Sequence, residues 1–393
     1  MKRLTYTHTI YASYIAYVVQ AVVVNFAPLL FVTFSEEYGI SLDKLAFMIT
    51  LNFMIQLTMD FLAAKFLDKI GYRTAFVGAH LLAALGFILM GILPDIMPAF
   101  TGLIISTVLI ASGGGLIEVT ASPIVEAVPV TSAKSAAMSL LHSFYCWGQL
   151  FTVLASTLFF VTVGIEHWRI LSFLWAIIPI INSVFCLTVP INTLKAEKGA
   201  SSIRQLFKNK LFLLLLVFML ASGATELAVS QWASALAETG LGVSKTVGDL
   251  LGPSLFALCM GTVRALYAKI SQKLKMENAL LFSGIIGVVG YLLTCLSPFP
   301  WLSLVGCGLC GIASALLWPG VISLGAKAVC GGTAMFSLLA LAGDLGCGVG
   351  PGLTGFMADI MNNNLKSGIL VGIIFPIIII LSALSFKKMT KNR

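Results

Sequence analysis

Charge is what this sequence has least of. Asp, Glu, Lys and Arg make up 10% of its 393 residues, against 59% hydrophobic ones, and from Asn278 to Ala326 none of the four occurs. A water-soluble globule needs a solvated, charged surface, so that class is excluded. About 20 mostly apolar residues cross a bilayer as a helix, and with a mean hydropathy of +1.00 the chain reads as an integral membrane protein. A disulfide framework is missing too: the eight cysteines fall in or beside apolar segments. Cys307 and Cys310 have a redox or zinc-like spacing, but they lie inside a span without a second pair, where small side chains serve close helix packing. No metal or cofactor is expected. There is no P-loop and no HExxH motif, nor an extramembrane segment large enough to fold a catalytic domain. An enzyme is therefore not expected, and any transport must draw on an ion or solute gradient.

Breaking the chain at its charged and Pro-bearing connections predicts twelve helices. The first six run over Thr9–Phe34, Leu45–Phe66, Thr74–Leu93, Ala99–Val128, Ser135–Gly164 and Ile170–Val189. The second six run over Leu211–Leu236, Thr246–Tyr267, Ala279–Leu296, Trp301–Gly325, Thr333–Ala358 and Ser367–Phe386. Short connections such as Ser297-Pro298-Phe299-Pro300 favour antiparallel neighbours. The fold class expected is an all-α membrane protein of two pseudo-symmetric six-helix bundles.

Of the 24 Lys and Arg, all but Lys44, Arg169, Lys245 and Lys366 fall on the side of this topology that holds both termini. By the positive-inside rule both termini are cytoplasmic, in a cell or inner membrane. The net charge of +8 is then a topological signal and a contact for anionic lipid rather than a nucleic-acid footprint. The first span is too long for a cleaved signal peptide and lacks a small-residue cleavage site, so it is expected to stay in the chain.

The break at 191–210 divides the sequence into residues 1–190 and 211–393, the layout of an internally duplicated secondary transporter. Ser201-Ser202-Ile203-Arg204 in the linker suggests a short amphipathic helix on the membrane surface. The connection after the second span reads Ala64-Lys65-Phe66-Leu67-Asp68-Lys69-Ile70-Gly71-Tyr72-Arg73. Here the chain resembles the major facilitator superfamily: Asp68, Lys69, Gly71 and Arg73 match its signature loop, with Ala64 in place of the first Gly. The resemblance implies that these residues latch a cytoplasmic gate. The second-half counterpart, around Gly261-Thr262-Val263-Arg264 and Lys269 to Lys275, keeps basic residues but no matching Asp.

An ionisable group inside the bilayer costs at least about 2.5 kcal/mol and needs a local reason. Three acids stand out: Glu118, Glu226 and Asp344. Glu118 follows Gly113-Gly114-Gly115 and precedes Pro123, which frees a backbone carbonyl one turn back. Glu226 follows Gly223 in the seventh span, with Trp232 six residues on and turned away by roughly 120°. Both stretches resemble the fucose permease branch of the superfamily, which implies proton coupling at Glu118 and protonation or substrate hydrogen bonding at Glu226. The branch carries an Asp in its first span, whereas this chain offers Gln20 and Asn25, so neither proton stoichiometry nor fucose itself follows. Asp344 is read as a gate contact or a site residue, and the Gly346 to Pro351 element as helix packing.

Polar and aromatic residues suited to a sugar-sized cavity are Asn25, Asn52, Gln56, His142, Tyr145, Trp147, Gln149, Gln231, Trp232 and Trp318. His80 and Asp60 read as structural interhelical contacts. The leading expectation is a proton-coupled symporter of a small polar solute, a sugar, working as a monomer with protons, solute and lipid as its partners. A drug-exporting antiporter and a transport-inactive receptor or assembly protein remain as alternatives.

Overall fold

The computed structural model describes residues 4–129, 134–192, 203–270, 275–329 and 332–391, all of it helix and connection, with no strand among the described residues. Among the described residues there are twelve long helices, eleven of them long and apolar enough to cross a membrane. In the first half they are α1 (Tyr6–Tyr38), α2 (Leu42–Ile70), α3 (Tyr72–Met90), α4 (Ala99–Glu126), α5 (Lys134–Thr162) and α6 (Trp168–Thr188). In the second they are α7 (Lys210–Gly240), α8 (Lys245–Tyr267), α9 (Met276–Leu296), α10 (Pro300–Gly325), α11 (Gly332–Ile360) and α12 (Leu365–Lys391). Helices dominate because hydrocarbon offers no hydrogen-bond partner to a free peptide group, so each span must satisfy its own backbone.

The chain forms two compact units, Met1–Ile40 with Leu51–Ala196, and Ser41–Thr50 with Glu197–Arg393. Each repeats the same pairings. Helix α1 packs on α5 as α7 packs on α11, and α3 packs on α4 and α6 as α9 packs on α10 and α12. The duplication expected from the sequence is thus visible in packing even where side chains have diverged.

Both leading helices are broken at matching positions along their length. Helix α1 is α-helical to Asn25, passes through a 3-10 turn at Ala27–Leu30 and resumes at Phe31, because Pro28 has no N–H to continue the ladder. Helix α7 is regular to Ser230, breaks at Gln231 and Trp232, and continues through Ala233–Ala235 into a π-turn at Leu236–Gly240. Helix α10 breaks after Ser314 and restarts at Leu317. Interrupted helices in corresponding places of two repeats are a mark of solute sites in secondary transporters.

One connection differs from the sequence reading and another agrees with it. The stretch expected as a loop at Ala64–Arg73 is helix as far as Ile70, and the turn to α3 is made by Gly71 alone, at φ +87°. Only glycine takes that backbone angle without strain. In the linker, Ile203–Lys208 forms the expected short helix, with Leu206 buried in the second unit's core and Phe207 exposed; Ser201 and Ser202 lie outside the described residues.

Candidate functional site

The site in the first unit starts from three consecutive glycines of α4. A Cβ on Gly113 would meet the Ala79 carbonyl and Ala83 nitrogen of α3 at 2.6 Å. One on Gly114 would meet Gln20 Oε1 of α1 at 2.6 Å, and one on Gly115 the Gln56 Cα of α2 at 2.8 Å. Each glycine faces a different neighbour, so α4 touches three helices at nearly one level, as side-chain-free positions allow.

One turn further along α4 sits Glu118. Gln20 Nε2 donates to Glu118 Oε2 at 3.2 Å and to Gln56 Oε1 at 2.6 Å. Gln56 Nε2 donates in turn to Asn52 Oδ1, and Asn52 Nδ2 to the Val23 carbonyl at 3.5 Å. The chain of amides therefore runs from the acid on α4 back to the α1 backbone just before that helix breaks. Asp60, two turns beyond Asn52 on the same face of α2, lies close enough for its charge to bear on Glu118. Among the described residues no cation contacts Glu118.

Around this network, Tyr17 hydrogen-bonds Ser122 at 3.0 Å and meets the His142 ring edge-on, with centroids 5.4 Å apart. Asn25 turns back on its own helix, donating to the Ala21 carbonyl at 2.8 Å, so it closes the end of the first α1 segment. Gln149 is buried on α5, Tyr145 half-buried, and His142 and Trp147 exposed. His80 has the structural role expected of it: its Nδ1 bonds the Phe76 carbonyl at 2.6 Å, and its Nε2 meets Asn182 Nδ2 at 2.8 Å. Asn182 also donates to the Ala12 carbonyl at 3.0 Å, tying α1, α3 and α6 together.

In the second unit, Glu226 faces a guanidinium. Arg264 Nη2 of α8 lies 3.7 Å from Glu226 Oε2, and Arg264 Nε donates at 3.0 Å to the carbonyl of Ala315, at the α10 break. The backbone behind Glu226 is held on two sides. Tyr291 of α9 donates to the Thr225 carbonyl at 3.0 Å, and Gly223, Gly346 and Gly350 let α7 and α11 meet backbone to backbone. The Gly346 to Pro351 element therefore packs α11 on α7. Trp232 is fully buried and its indole N–H donates to the Pro351 carbonyl at 3.0 Å. Gln231 is buried beside it, with Nε2 unpartnered among the described residues. The Trp318 ring lies against Gly343, next in sequence to the buried Asp344.

Among the described side chains of the signature motif, Arg73 is engaged elsewhere than at Glu118. Arg73 donates to the carbonyls of Cys186, Leu187 and Val189 at 2.9, 2.6 and 2.7 Å, capping the end of α6 within its own unit. Lys69 is exposed, and the Asp68 side chain lies outside the described ones.

Two of the minority cations of the topology sit in matching acidic clusters. Arg169 bridges Glu37 at 2.5 Å and Asp95 at 2.8 Å, while Lys245 bridges Glu238 at 3.1 Å and Asp249 at 3.4 Å.

Sequence reasoning missed one partner of each acid. From the sequence Arg264 reads as a loop charge, although it lies three residues inside the predicted end of the eighth span. Asp60 was read apart from Glu118, although Asn52, Gln56 and Asp60 recur every four residues and must share a face.

Comparison with known proteins follows this geometry. The sequence profile described as Major Facilitator Superfamily matches residues 13–351. Among solved structures, the E. coli fucose:proton symporter aligns with a TM-score of 0.67 at 17% identity, covering 97% of this chain and 99% of its own. The nucleoside transporter NupG aligns at 0.76 and 13% identity, covering 98% and 99%. A bacterial homolog of the human lysosomal transporter Spinster, inward-facing and unoccupied, aligns at 0.75 and 13% identity, covering 98% of each chain. No curated protein matches the sequence.

Proposed function

The chain belongs to the major facilitator superfamily and is a multi-pass membrane transporter, and from that premise we propose that it moves a small polar solute, a sugar, by proton-coupled symport with alternating access. The observation that carries this reading is the surroundings of Glu118. An amide both donates and accepts, so Gln20 can donate to the carboxylate as it does here or, with its amide turned over, accept from the protonated acid. A group meant to take up and release a proton needs such a partner. A guanidinium has only donors and fits the carboxylate alone, so Glu226 is assigned to solute hydrogen bonding rather than to the proton.

The bundles 1–190 and 211–393, joined by the 191–210 linker, are the moving bodies in this proposal. Asp68, Lys69, Gly71, Arg73 and Asp344 belong to its gating elements. The amides Asn52, Gln56 and Gln231, assigned here to the solute, suit a neutral, hydroxylated one. The bias of Lys and Arg places both termini in the cytoplasm and the protein in a cell membrane, acting as a monomer.

The test is uptake of radiolabelled neutral sugars into proteoliposomes with and without an inside-alkaline pH gradient. Gradient-driven accumulation that Glu118→Gln abolishes is the expected result. Failure of every sugar to accumulate, with proton movement on adding amphiphilic compounds, would turn the assignment to export. Failure of both would leave a transport-inactive receptor.

A further inference from the structure

Between α2 and α3, on either side of the Gly71 turn, runs a groove of about 620 Å³. One wall is a face of α2 within residues 59–70, the other a face of α3 within residues 74–85, and Leu116 of α4 lies at its base. The lining positions recur every three or four residues, so each wall is a single helix face. Thr74 is the only polar side chain among them. Beneath the groove Ala63, Leu67 and Ala75 pack together with Leu116 against them, which gives it a closed floor. In the α3 wall stands Gly78, with no atom within 4 Å of its would-be Cβ, so the groove is open where a side chain would otherwise stand.

The length of the groove decides what fits. From Met59 to Ile70 the helix rises about 16 Å, half of the roughly 30 Å hydrocarbon thickness, so the groove serves one leaflet. A partner helix of that length and 10 Å diameter would displace about 1,300 Å³, twice the space. An extended hydrocarbon chain is a slimmer occupant. The two ends also differ. The end at Met59 and Leu85 is apolar, whereas at the end by the Gly71 turn Thr74 and Lys69 are exposed. The positive, amino-terminal end of the α3 dipole lies there too, and residues 64–73 carry three basic residues against one acid. Arg73 is engaged by the α6 carbonyls, which leaves Lys69 as the cation of this mouth among the described side chains.

We propose that the groove is a binding site for an anionic phospholipid of the leaflet assigned to the cytoplasm, with one acyl chain lying along α2 and α3 and the phosphate meeting Lys69 and Thr74. The ammonium and the hydroxyl both donate to phosphate oxygens, while the chain covers the apolar walls. A zwitterionic lipid brings a cation of its own to Lys69 and gains less. The site lies within the first unit and depends on neither the sugar nor the proton coupling proposed above.

The experiment is photo-crosslinking in phosphatidylcholine vesicles doped with either phosphatidylglycerol or phosphatidylcholine carrying a diazirine on one acyl chain, the adducts being mapped by peptide mass spectrometry. Phosphatidylglycerol should label residues 59–70 and 74–85 about fivefold more than phosphatidylcholine, the worth of one basic residue at an anionic surface. The lipid-facing positions Ile177 and Ile181 of α6, both exposed, are the reference and should not distinguish the two lipids. Lys69→Gln should abolish the preference and leave the lipids equal. Gly78→Phe, whose ring enters the groove from an open position, should suppress labelling by both; Gly78→Leu takes its place if a melting curve shows the larger side chain to be unfolding. Equal labelling by the two lipids in the wild type makes the groove ordinary lipid-facing surface and overturns the proposal. Labelling unaffected by the folded Gly78 variant, or a preference that survives Lys69→Gln, overturns it as well. So does a groove that neither lipid labels, the result that a solute or protein occupant would produce.

Discussion

The Gln20 amide donates to Glu118 Oε2 across 3.2 Å, and the same nitrogen donates to Gln56 Oε1 across 2.6 Å. One side chain of α1 therefore serves both the acid of α4 and the amide stripe of α2. Gln20→Leu keeps the approximate size and removes the donor. Its expected effect is a loss of about tenfold in gradient-driven sugar accumulation, corresponding to about 1.4 kcal/mol. The stability cost should be of similar size, about 0.6–2 kcal/mol, as for interhelical hydrogen bonds in membranes. Uptake and thermal unfolding of the same preparation separate the two effects; a fall in stability without a fall in accumulation would reduce Gln20 to a packing residue.

The glycine run of α4 makes a graded prediction. Gly113→Ala places a methyl 2.6 Å from backbone atoms of α3, which cannot turn aside, while Gly114→Ala meets the end of the Gln20 side chain, which can. Gly113→Ala should destabilise by about 1–3 kcal/mol, as overpacking does. Gly114→Ala should cost less stability but disturb the Gln20 contact. Gly78, with no atom within 4 Å of its would-be Cβ, is the control and should tolerate Ala. Melting temperatures in detergent rank the three, and equal shifts at Gly113 and Gly78 would contradict the tight packing of α4 on α3.

Much of this was legible in the sequence. Span number and the twofold repeat followed from apolar run length and from where charges interrupt it, quantities fixed by the bilayer. Glu118 and Glu226 were legible as isolated acids in long apolar segments. What escaped was pairing. Arg264 lies near a span end, where a cation reads as an interfacial anchor, and only the α10 break and Glu226 reveal that it points inward. Asn25 and Trp232 escaped differently. Each has the chemistry of a binding residue, but the Asn25 donor is taken by the Ala21 carbonyl of its own helix and the Trp232 donor by the Pro351 carbonyl of α11.

Arg73 makes three hydrogen bonds to the last carbonyls of α6, which have no partner within that helix. A positive group at a helix C-terminus also meets the favourable end of its dipole. Arg73→Lys keeps the charge but not the planar fork, so it should restore only part of what Arg73→Ala loses. The expected order of stability is wild type, Arg73→Lys, Arg73→Ala, with the end of α6 opening first in hydrogen exchange. Identical protection of 186–189 in all three proteins would refute the capping role.

The matching clusters at Arg169 and Lys245 should differ in strength because they differ in burial. Asp95 is 51% exposed and Glu37 35%, so their bonds to Arg169 are weakened by water and salt. Arg169→Gln should cost at most about 1 kcal/mol, and less at high ionic strength. Asp249 is fully buried, and removing Lys245 takes away a positive charge that offsets its own, leaving its bond from Ser234. Lys245→Gln should be the more damaging change, about 3 kcal/mol, and adding Asp249→Asn should recover part of the loss. Unfolding measured at low and high salt decides between the two regimes.

Trp232 offers the sharpest test of position against residue type. By type it is a stacking platform for a sugar ring; in the structure its ring is fully buried and its N–H is bound to the Pro351 carbonyl at 3.0 Å. Pro351 lacks an N–H of its own, so α11 is short of one ladder bond at the Cys347 carbonyl, one turn before the carbonyl to which Trp232 attaches. Trp232→Phe should keep the packing, lose one hydrogen bond and cost about 1 kcal/mol. Trp232→Ala should open a cavity and cost about 3–5 kcal/mol. If the ring works as a link between α7 and α11, Trp232→Phe leaves the KM for sugar unchanged while lowering the melting temperature. A rise in KM at unchanged stability would instead make Trp232 a stacking surface, reached in a conformation in which α7 and α11 have parted.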